Sequence, residues 1–405
     1  MSGVSVGAQA AAVPMSAARR WACIVLLVVL GFALGCSEFV VIGIEPELAE
    51  YFGVNLAEVG KLISFFAMTY AVATPVLALS TGRFRRYQLL IAYSVLFCLG
   101  NAVAAFAPSF GVLLLSRVLI GAVSGALLAV GVTYLPELVG PKRVSIAISV
   151  VYAAFSVAMV ISTSLAKMVA DALSWEVALV ATLVMAVVTC ALLIAVLPRE
   201  GATDAPATAR EQARLLREPA VLAGMAIFVF GVGSVYVFYG YITPYLEQVL
   251  GMDTAAASGV LMGYGVMTLI SNLVAGGLDA RFGLKTLLVS FPVQAALLAL
   301  LSVVGAAMPA ALVVIMAIGL SMYLLSVPVI SMFMGIAGKR HPKALTLASS
   351  LEPMAFNIGI AFGTAVGGVV VTGPGMGMVG FVGAVFSLVA CALAALTLRL
   401  SRREA

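Results

Sequence analysis

Charged residues are scarce in this sequence. Asp, Glu, Lys and Arg make up 10% of its 405 residues, whereas a soluble globular domain typically carries about 25%. Hydrophobic residues make up 63%. With so few polar side chains to cover an exterior in water, the composition excludes an ordinary soluble domain, and we expect most of the surface to face lipid.

Alternation of polar and apolar residues is also lacking. Strands of a transmembrane β-barrel alternate between a lipid face and a polar interior, but the apolar runs here continue unbroken for about 20 residues, which is the length that a helix needs to cross a bilayer. Only helices and closed barrels satisfy their backbone polar groups in hydrocarbon. The sequence therefore predicts an all-α membrane protein.

Motifs of common enzyme classes are missing or misplaced. The sequence contains no HExxH and no P-loop ending in GK[ST], and it has one histidine, His341. Residues 3–7 (GVSVG) match G-x-S-x-G, but no strand precedes them, so we interpret this as a chance match. A membrane-embedded enzyme and a non-transporting receptor are kept only as alternatives. Without a nucleotide site, any work must draw on an ion or solute gradient.

The cysteines show no spacing typical of a metal site or a redox pair. All five fall within apolar runs: Cys23, Cys36, Cys98, Cys190 and Cys391. Free cysteine behaves as a small buried hydrophobe. We therefore expect five core residues and neither a metal nor another cofactor.

Twelve apolar runs are separated by charged or Pro- and Gly-rich breaks. The first six spans are predicted at 21–44, 57–80, 88–106, 109–134, 144–169 and 176–197. The second six are predicted at 220–243, 257–278, 287–307, 310–336, 344–371 and 377–398. They define two bundles, 19–197 and 220–398.

Three polar segments flank these two bundles. We expect residues 1–18 to be a disordered cytoplasmic tail and residues 399–405 to be a second cytoplasmic tail. Residues 198–219 are predicted to form a cytoplasmic linker, in which a flexible piece is followed by a short amphipathic helix.

Basic residues lie almost entirely on one side of this arrangement. If the N-terminus is cytoplasmic, all of the 22 Lys and Arg residues except Lys61, Arg117 and Lys167 fall in cytoplasmic segments. Cytoplasmic loops of membrane proteins carry such an excess of Lys and Arg. We therefore attribute the net charge of +5 to membrane topology rather than to nucleic-acid binding, and we expect both termini in the cytoplasm.

A repeat relates the two sets of six spans. One ungapped shift aligns identical residues in matching places: Gly35 with Gly233, Pro46 with Pro244, Gly53 with Gly251 and Gly121 with Gly319. Because six is an even number, both repeats insert in the same orientation, with a cavity between them near the bilayer midplane. Rocking of one bundle against the other would then give alternating access to that cavity.

Short motifs at five places resemble those of a known transporter family. They are Ser37-Glu38-Phe39 with Pro46-Glu47-Leu48-Ala49, then Arg83, Arg85 and Arg86, then Arg117 with Gly121 and Gly125, then the segment 214–219, and Ala355-Phe356-Asn357 with Gly359 and Gly363. The combination resembles the major facilitator superfamily, in its drug:proton antiporter-1 group. It is similar to bacterial exporters of sugars, chloramphenicol and purine ribonucleosides.

This resemblance covers residues 20–400. It implies twelve transmembrane helices in two pseudo-symmetric six-helix bundles, in a bacterial inner membrane. It also implies a monomeric secondary transporter that exports a small organic solute (a drug, a sugar or a nucleoside-like compound) and is coupled to protons. Proton-coupled import and facilitated diffusion stay open, because residues 162–166 (STSLA) replace the glycine–proline signature of the antiporters.

The resemblance assigns the loop motif and its second copy to gating. The residues concerned are Arg83, Arg85, Arg86, Asp279 and Arg281. The position before Arg83 often holds Asp in the family but is glycine here, which predicts a weaker salt-bridge latch.

Three ionisable residues stand out within predicted spans, because they lie well away from the span ends. A charge in hydrocarbon costs ~3 kcal/mol or more, which makes Glu38, Arg117 and Glu352 functional candidates. The two glutamates are candidates to exchange a proton or bind a substrate, and the resemblance implicates Arg117 in coupling. The alternatives are a structural hydrogen bond for Glu38, an ion pair with Glu38 for Arg117, and a water-filled cavity wall around Glu352.

Hydroxyl-bearing aromatic residues are predicted to line the substrate path. Tyr236 and Tyr239 lie in span seven, and the repeat makes Tyr236 the counterpart of Glu38. Tyr323 and Asn357 are added from spans ten and eleven. Aromatic rings with a polar end suit a ligand that is partly apolar and partly hydrogen-bonding.

Three further residues are weaker candidates. Tyr241 is as readily explained as an anchor at the membrane interface, Asn101 is a possible polar contact, and His341 sits among basic residues of a loop. We interpret His341 as a solvated residue that contributes to topology.

Overall fold

Helices dominate the computed structural model, which describes residues 15–81, 84–139, 143–199, 214–341 and 345–403. Within these residues there are twelve long helices and no strand. The helices are α1 Ala17–Gly43, α2 Leu56–Ser80, α3 Arg86–Ala105, α4 Phe110–Val132, α5 Val144–Ala172, α6 Trp175–Val196, α7 Pro219–Tyr239, α8 Thr254–Phe282, α9 Leu287–Val304, α10 Met308–Ser321 with its continuation Ser326–Arg340, α11 Leu345–Thr372 and α12 Val379–Arg403.

These helices confirm the twelve predicted spans, with ends that differ by a few residues. Eleven stretches of the described chain are long and apolar enough to cross a membrane, and one of them, Thr254–Val304, has 51 residues. A single helix of that length would measure about 76 Å, far more than the hydrocarbon thickness of about 30 Å. The backbone turns at Gly283, where φ is 53°, so this stretch makes two crossings, α8 and α9.

The tenth span is interrupted, whereas the sequence predicts a continuous helix over 310–336. α10 ends at Ser321 and resumes at Ser326. Pro328 explains the break, because proline has no N–H to donate to the carbonyl of Leu324 and its ring collides with that carbonyl. Tyr323 therefore lies in the break, where its backbone N–H donates to Ser271 Oγ at 3.0 Å.

Corresponding helices make corresponding contacts in the two halves. α1 packs against α5 and α6, and α7 packs in the same way against α11 and α12. The pairs α2–α4 and α3–α6 are matched by α8–α10 and α9–α12. Between the halves, α2 lies along α11 and α5 lies along α8. This arrangement is the predicted pair of pseudo-symmetric six-helix bundles.

The repeat extends to the details of the loops. Gly53 and Gly251 end equivalent segments with φ values of 62° and 64°, a conformation in which a residue without Cβ has no steric cost. Two residues later, Asn55 and Asp253 cap α2 and α8, and each side chain accepts a backbone N–H of the first turn at 2.9 and 2.8 Å. The sequence repeat is thus a structural repeat.

The first and the last described residues lie on one face of the molecule, because the number of crossings between them is even. We call this face the terminal face and the opposite one the far face. On the far face a short helix, Glu45–Phe52, follows α1, and the segments Ile242–Pro244 and Tyr245–Val249 follow α7. The two regions touch, and the Thr243 hydroxyl donates to the carbonyl of Ile42 at 2.5 Å. The halves are therefore closed against each other on the far face.

The exterior is apolar, as expected for a surface in lipid. Leu273, Val313 and Val369 are among the large apolar side chains that are at least 70% exposed. Three of the five cysteines are buried as predicted, whereas Cys98 and Cys391 are half-buried.

Candidate functional site

Glu38 lies in the last third of α1, where the two halves meet. Its side chain is buried, and its Oε2 atom has no hydrogen-bond partner within the described residues. The carboxyl is within electrostatic range of Tyr70, Tyr236 and Tyr323, on α2, α7 and α10. Because an unpaired carboxylate is costly to bury, this environment suits a group that binds a proton or meets a ligand.

Arg117 reaches Glu38 from α4, but it binds the backbone rather than the carboxylate. Its Nη1 donates to the carbonyl of Ser37 at 2.6 Å and its Nη2 to the carbonyl of Glu38 at 2.8 Å. Nε donates to the carbonyl of Leu62 at 3.4 Å, and the guanidinium lies 4.6 Å from the ring centroid of Phe66. Arg117 thus ties α4 to α1 and α2 and places a positive charge near a carboxyl that keeps a free oxygen.

An aromatic cluster faces these charges from the second half. The rings of Tyr236 and Tyr239 meet edge to face at 5.4 Å, and Tyr239 stacks on Tyr264 at 4.9 Å. Tyr323 stacks on Phe356 at 5.5 Å. The structure therefore brings together the three predicted tyrosines, and it adds Tyr264 and Phe356.

The sequence offered some signal for the two additions. Tyr264 is the repeat counterpart of Phe66, whose ring contacts the guanidinium of Arg117. Phe356 belongs to the motif of span eleven, but only its stacking on Tyr323 assigns it to the site.

Several polar atoms at this seam have no partner within the described residues. They are Glu38 Oε2, the Tyr236 hydroxyl and Asn357 Oδ1. The other hydroxyls of the cluster are used: Tyr239 bonds to Thr163 of α5, and Tyr323 lies 3.6 Å from Met159 Sδ, also on α5. The free atoms therefore offer one carboxyl, one phenol and one amide oxygen to a ligand.

Glu352 occupies the terminal-face part of the seam, on α11. Its side chain is half-buried and lies within electrostatic range of Tyr70, Tyr152 and Tyr323. Tyr70 is in range of Glu38 as well, so this phenol is a neighbour of both acidic candidates. Nothing in the sequence marked Tyr70 or Tyr152, because their place depends on which faces of α2 and α5 turn inward.

Two of the weaker candidates have structural roles. Tyr241 is buried and donates to the carbonyl of Thr364 at 3.0 Å, so the idea of a membrane-interface anchor is wrong. Asn101 of α3 accepts a hydrogen bond from Ser37 at 2.7 Å. Asn101 therefore joins α3 to α1 at the residue that precedes Glu38.

The loop-motif residues form two separate contacts on the terminal face. Arg86 donates to Glu137 at 2.5 Å, and its guanidinium lies 4.1 Å from the ring centroid of Tyr134. These contacts join the start of α3 to the short helix Leu135–Val139 after α4. Arg85 is exposed.

The second copy of the loop motif makes a different contact. Asp279 accepts a hydrogen bond from Ser331 of α10 at 2.7 Å, while Arg281 is exposed. Arg83, the expected weak latch beside it, the linker residues 200–213 and the tail residues 1–14 lie outside the described residues.

His341 is half-buried and paired, so the expectation of a solvated side chain was wrong. Its Nε2 lies 2.8 Å from one oxygen of Glu218, and Arg340 donates to the other oxygen at 3.0 Å. Glu218 precedes α7, whereas Arg340 and His341 lie at the end of α10. The cluster therefore joins two helices of the second half at the terminal face.

Lys167 forms an ionic bridge between the halves at the far face. Its Nζ lies 2.5 Å from Glu47 of the first half and also pairs with Glu247 of the second half. Nearby, Ser164 donates to the carbonyl of Ser258 on α8 at 2.8 Å. Sequence reasoning passed over Lys167, although a lysine within a predicted span was itself a signal.

Comparisons with known proteins agree with this architecture. The sequence model of the Major Facilitator Superfamily matches residues 26–352. The inner membrane transport protein YdhP of Escherichia coli K12 is 28% identical over 381 residues, which are 92% of this chain and 95% of YdhP. The uncharacterized MFS-type transporter YtbD of Bacillus subtilis 168 is 29% identical over 354 residues, which are 86% and 88% of the two chains.

Solved transporters share the fold. A bacterial homolog of the human lysosomal transporter Spinster, inward-facing and occupied, matches with a TM-score of 0.74 at 15% identity and covers 95% of this chain and 98% of its own. The transporter FucP in the outward conformation matches with a TM-score of 0.63 at 17% identity, over 92% and 98% of the two chains. With its twelve crossings, its repeat and these matches, the chain belongs to the Major Facilitator Superfamily of membrane transporters.

Proposed function

We propose that this transporter exports a small organic solute across a bacterial inner membrane in exchange for protons, as a monomer. The observation that supports this most is the Glu38 carboxyl, which is buried at the seam with a free oxygen and faces the aromatic cluster of the second half. Alternating access is general for the superfamily, and a carboxyl at the seam is accessible from each side in turn.

The arrangement around Glu38 supports competition between a proton and a solute. Arg117 lies near the carboxyl and favours its ionised form, whereas burial favours its neutral form. A solute that donates a hydrogen bond to Glu38 would replace the proton as its partner. Glu352 would act as a second carboxyl of the same path, linked through Tyr70.

The free polar atoms and the rings suggest the class of solute. Tyr236, Asn357 and Glu38 offer a few hydrogen bonds among mostly apolar and aromatic surfaces, which is typical of sites for small organic ligands. Drugs, sugars and nucleoside-like compounds all combine a ring with hydrogen-bonding groups. A neutral or cationic solute fits better than an anion, because the free group of the first half is acidic.

The orientation is part of the proposal. Arg85, Arg86, Arg281 and the Arg340–His341 pair all lie on the terminal face, and Lys and Arg are enriched in cytoplasmic loops. We infer that the terminal face is cytoplasmic, with both termini inside. The resemblance to exporters supports the outward direction, and an importer or facilitator with the same site is the alternative.

The test needs a solute and then a gradient. A thermal-shift screen of the purified protein with drugs, sugars, nucleosides and amino acids identifies solutes that bind. Inverted vesicles then report whether an imposed pH gradient drives accumulation of the bound solute. Glu38→Gln should abolish this accumulation while solute counterflow without a gradient continues, because glutamine binds no proton.

A matched control is Glu50→Gln, which neutralises an exposed carboxyl on the far face and should transport like the unmodified protein. Gradient-driven accumulation that is unchanged in Glu38→Gln would overturn the coupling role of Glu38. Accumulation that ignores the pH gradient in the unmodified protein would show a facilitator instead.

A further inference from the structure

A second acidic side chain is buried outside the site described above. Glu45 is the first residue of the short far-face helix Glu45–Phe52. It has no exposed surface, and neither of its carboxylate oxygens has a hydrogen-bond partner within the described residues. An ionised carboxylate in that state would be a buried charge without compensation.

The second half supplies part of the cover over Glu45. The short helix packs on the Ile242–Pro244 segment, and the hydroxyl of Thr243 donates to the carbonyl of Ile42, three residues before Glu45. Tyr239 and Tyr241, also of the second half, are within electrostatic range of the carboxyl. When the halves separate on the far face, as alternating access requires, this cover leaves and Glu45 meets water.

No nearby cation is free to neutralise Glu45 within the described residues. Lys167 of α5 is shared by Glu47 and by Glu247, which follows α7. At the start of α2, Lys61 pairs with Glu58 at 2.6 Å, and both are exposed. The remaining titratable neighbours are the two phenols of Tyr239 and Tyr241.

Burial and, after it, the carboxylate of Glu47 raise the pKa of Glu45 well above its usual range. Both causes follow from the geometry, because water is excluded from the carboxyl and the carboxylate of Glu47 has the same sign of charge. In an open far face the same carboxyl would be hydrated and would ionise in the ordinary range near pH 4.3.

We propose that Glu45 is a second proton-binding site, and that the two halves close on the far face only when Glu45 has bound a proton. The sign follows from linkage. Because protonation is favoured in the closed state, closure is fully supported at acidic pH and is lost as pH rises through the pKa that Glu45 has in the closed state. This proposal requires alternating access but not proton coupling at Glu38.

A distance measurement across the far face tests the proposal. Spin labels at Leu173→Cys, after α5, and at Ala307→Cys, after α9, lie on exposed positions of opposite halves. They are placed in the full-length chain, with its five native cysteines replaced by serine, in lipid nanodiscs. Between pH 5 and pH 9 the closed-to-open ratio should fall, by up to about tenfold per pH unit for one linked proton.

Glu45→Gln should abolish this pH dependence and keep the short distance throughout, because glutamine is neutral and has nearly the same shape. Glu50→Gln, which neutralises an exposed carboxyl of the same helix, should keep the pH dependence of the unmodified protein. A Glu45→Gln protein that still opens as pH rises would overturn the proposal, as would an unmodified protein whose distance ignores pH.

Two further measurements separate the possible failures. If the chain without its native cysteines does not fold, amide hydrogen exchange of residues 44–53 and 239–250 can be measured in the native chain. Protection, corrected for intrinsic exchange rates, should fall as pH rises. In the Glu45→Gln protein it should not. Glu38→Gln should open with pH as the unmodified protein does. Loss of coupling at Glu38 would therefore leave the Glu45 result standing, and the reverse also holds.

Discussion

The two halves share a shape but differ in what they bury. At three equivalent positions the first half carries an ionisable side chain and the second half an uncharged one: Glu38 against Tyr236, Glu45 against Thr243 and Arg117 against Ile315. The first half also buries Lys167. All four ionisable side chains of the first half are nearly inaccessible to solvent. In the second half the carboxylate of Glu218 is instead paired at the terminal face, and Glu352 is the exception on the seam.

This difference separates the requirements of the fold from those of the chemistry. Helix packing follows the repeat, as the matched caps at Asn55 and Asp253 show. The charges do not follow it, because the proposed solute at the seam would touch both halves and would need each kind of group only once. Replacing residues of the first half by their counterparts therefore tests which charges each element of the fold needs.

Arg117→Ile should have the largest effect of these replacements. It removes a buried guanidinium together with its two charge-assisted hydrogen bonds to the carbonyls of Ser37 and Glu38, which then keep only their helical N–H partners within α1. Since a hydrogen bond to a charged group contributes about 1.5–3 kcal/mol, we expect a loss of roughly 3 kcal/mol or more in unfolding free energy. Denaturant unfolding in detergent measures the stability, and the inverted-vesicle assay should show no transport.

Arg117→Lys is the matched control. It keeps the charge but cannot fork to two carbonyls, so its stability should lie between the other two proteins. Unfolding of Arg117→Ile at the denaturant concentration of the unmodified protein would show that the buried charge is dispensable for the fold.

Lys167→Ala comes next, and it tests the contact between the halves rather than the fold of one half. Without the ammonium, Glu47 and Glu247 face each other across the far face as like charges. Breaking a buried ion pair costs several kcal/mol. Because both carboxylates keep some exposure, we expect the closed far face to lose about 2 kcal/mol of stability relative to the open one. The far-face labels should report a shift toward the longer distance at neutral pH.

Neutralising the two partners should reverse most of that shift. In the triple variant Lys167→Ala, Glu47→Gln, Glu247→Gln no like charges remain, so the halves can close again. A triple variant as open as the single one would mean that Lys167 acts through its packing and not through its charge.

Much of the fold could be predicted from the sequence, because it rests on local signals. Long apolar runs located the helices, and the aligned glycines and prolines showed the repeat. The break in α10 could also have been predicted, since Pro328 lies within the span. None of these signals requires knowledge of which helices pack against each other.

The candidate site was predictable only in part, for a physical reason. Glu38, Arg117 and Glu352 were found because a charge in an apolar run is conspicuous. Tyr70 is an ordinary residue of an apolar helix. It neighbours both Glu38 and Glu352 only because the face of α2 that carries it turns toward the seam. Glu45 lies just outside a span, where a carboxyl is ordinary, and only the cover from the second half makes it unusual.

Tyr236→Phe should separate binding from stability. The Tyr236 hydroxyl has no partner within the described residues, so its removal should leave the unfolding free energy unchanged or raise it by up to about 1 kcal/mol. If the hydroxyl bonds the solute, affinity should fall about fivefold, which corresponds to about 1 kcal/mol. Calorimetry with a solute from the screen measures the affinity.

The matched control is Tyr264→Phe, because the Tyr264 hydroxyl lies 3.7 Å from Met322 Sδ and so has a partner, unlike the hydroxyl of Tyr236. Its affinity should equal that of the unmodified protein. Equal affinities of all three proteins would show that the Tyr236 hydroxyl does not bond the solute. Only the ring of Tyr236 could then contribute to the substrate path.

Glu218→Gln should have the smallest effect, because this charge lies at the surface of the second half. The pKa of Glu218 lies below its ordinary range, chiefly because His341 forms a hydrogen bond with its carboxylate. Burial acts in the opposite direction, and a hydrogen bond from Arg340 lowers the pKa further. A carboxyl with a lowered pKa stabilises the folded state above its ordinary pKa, and the contribution is lost as pH falls through the folded-state value. Glu218→Gln should therefore be less stable at pH 7, by at most about 1 kcal/mol.

Thermal unfolding in detergent at a series of pH values measures this difference. It should shrink below about pH 4, because the unmodified carboxyl is then protonated and resembles the glutamine. Glu58→Gln removes the exposed pair with Lys61 and should cost only about 0.3 kcal/mol at pH 7. A Glu218→Gln cost as large as that of Arg117→Ile would contradict the division proposed between the halves, because a surface pair of the second half would then matter as much as a buried charge of the first.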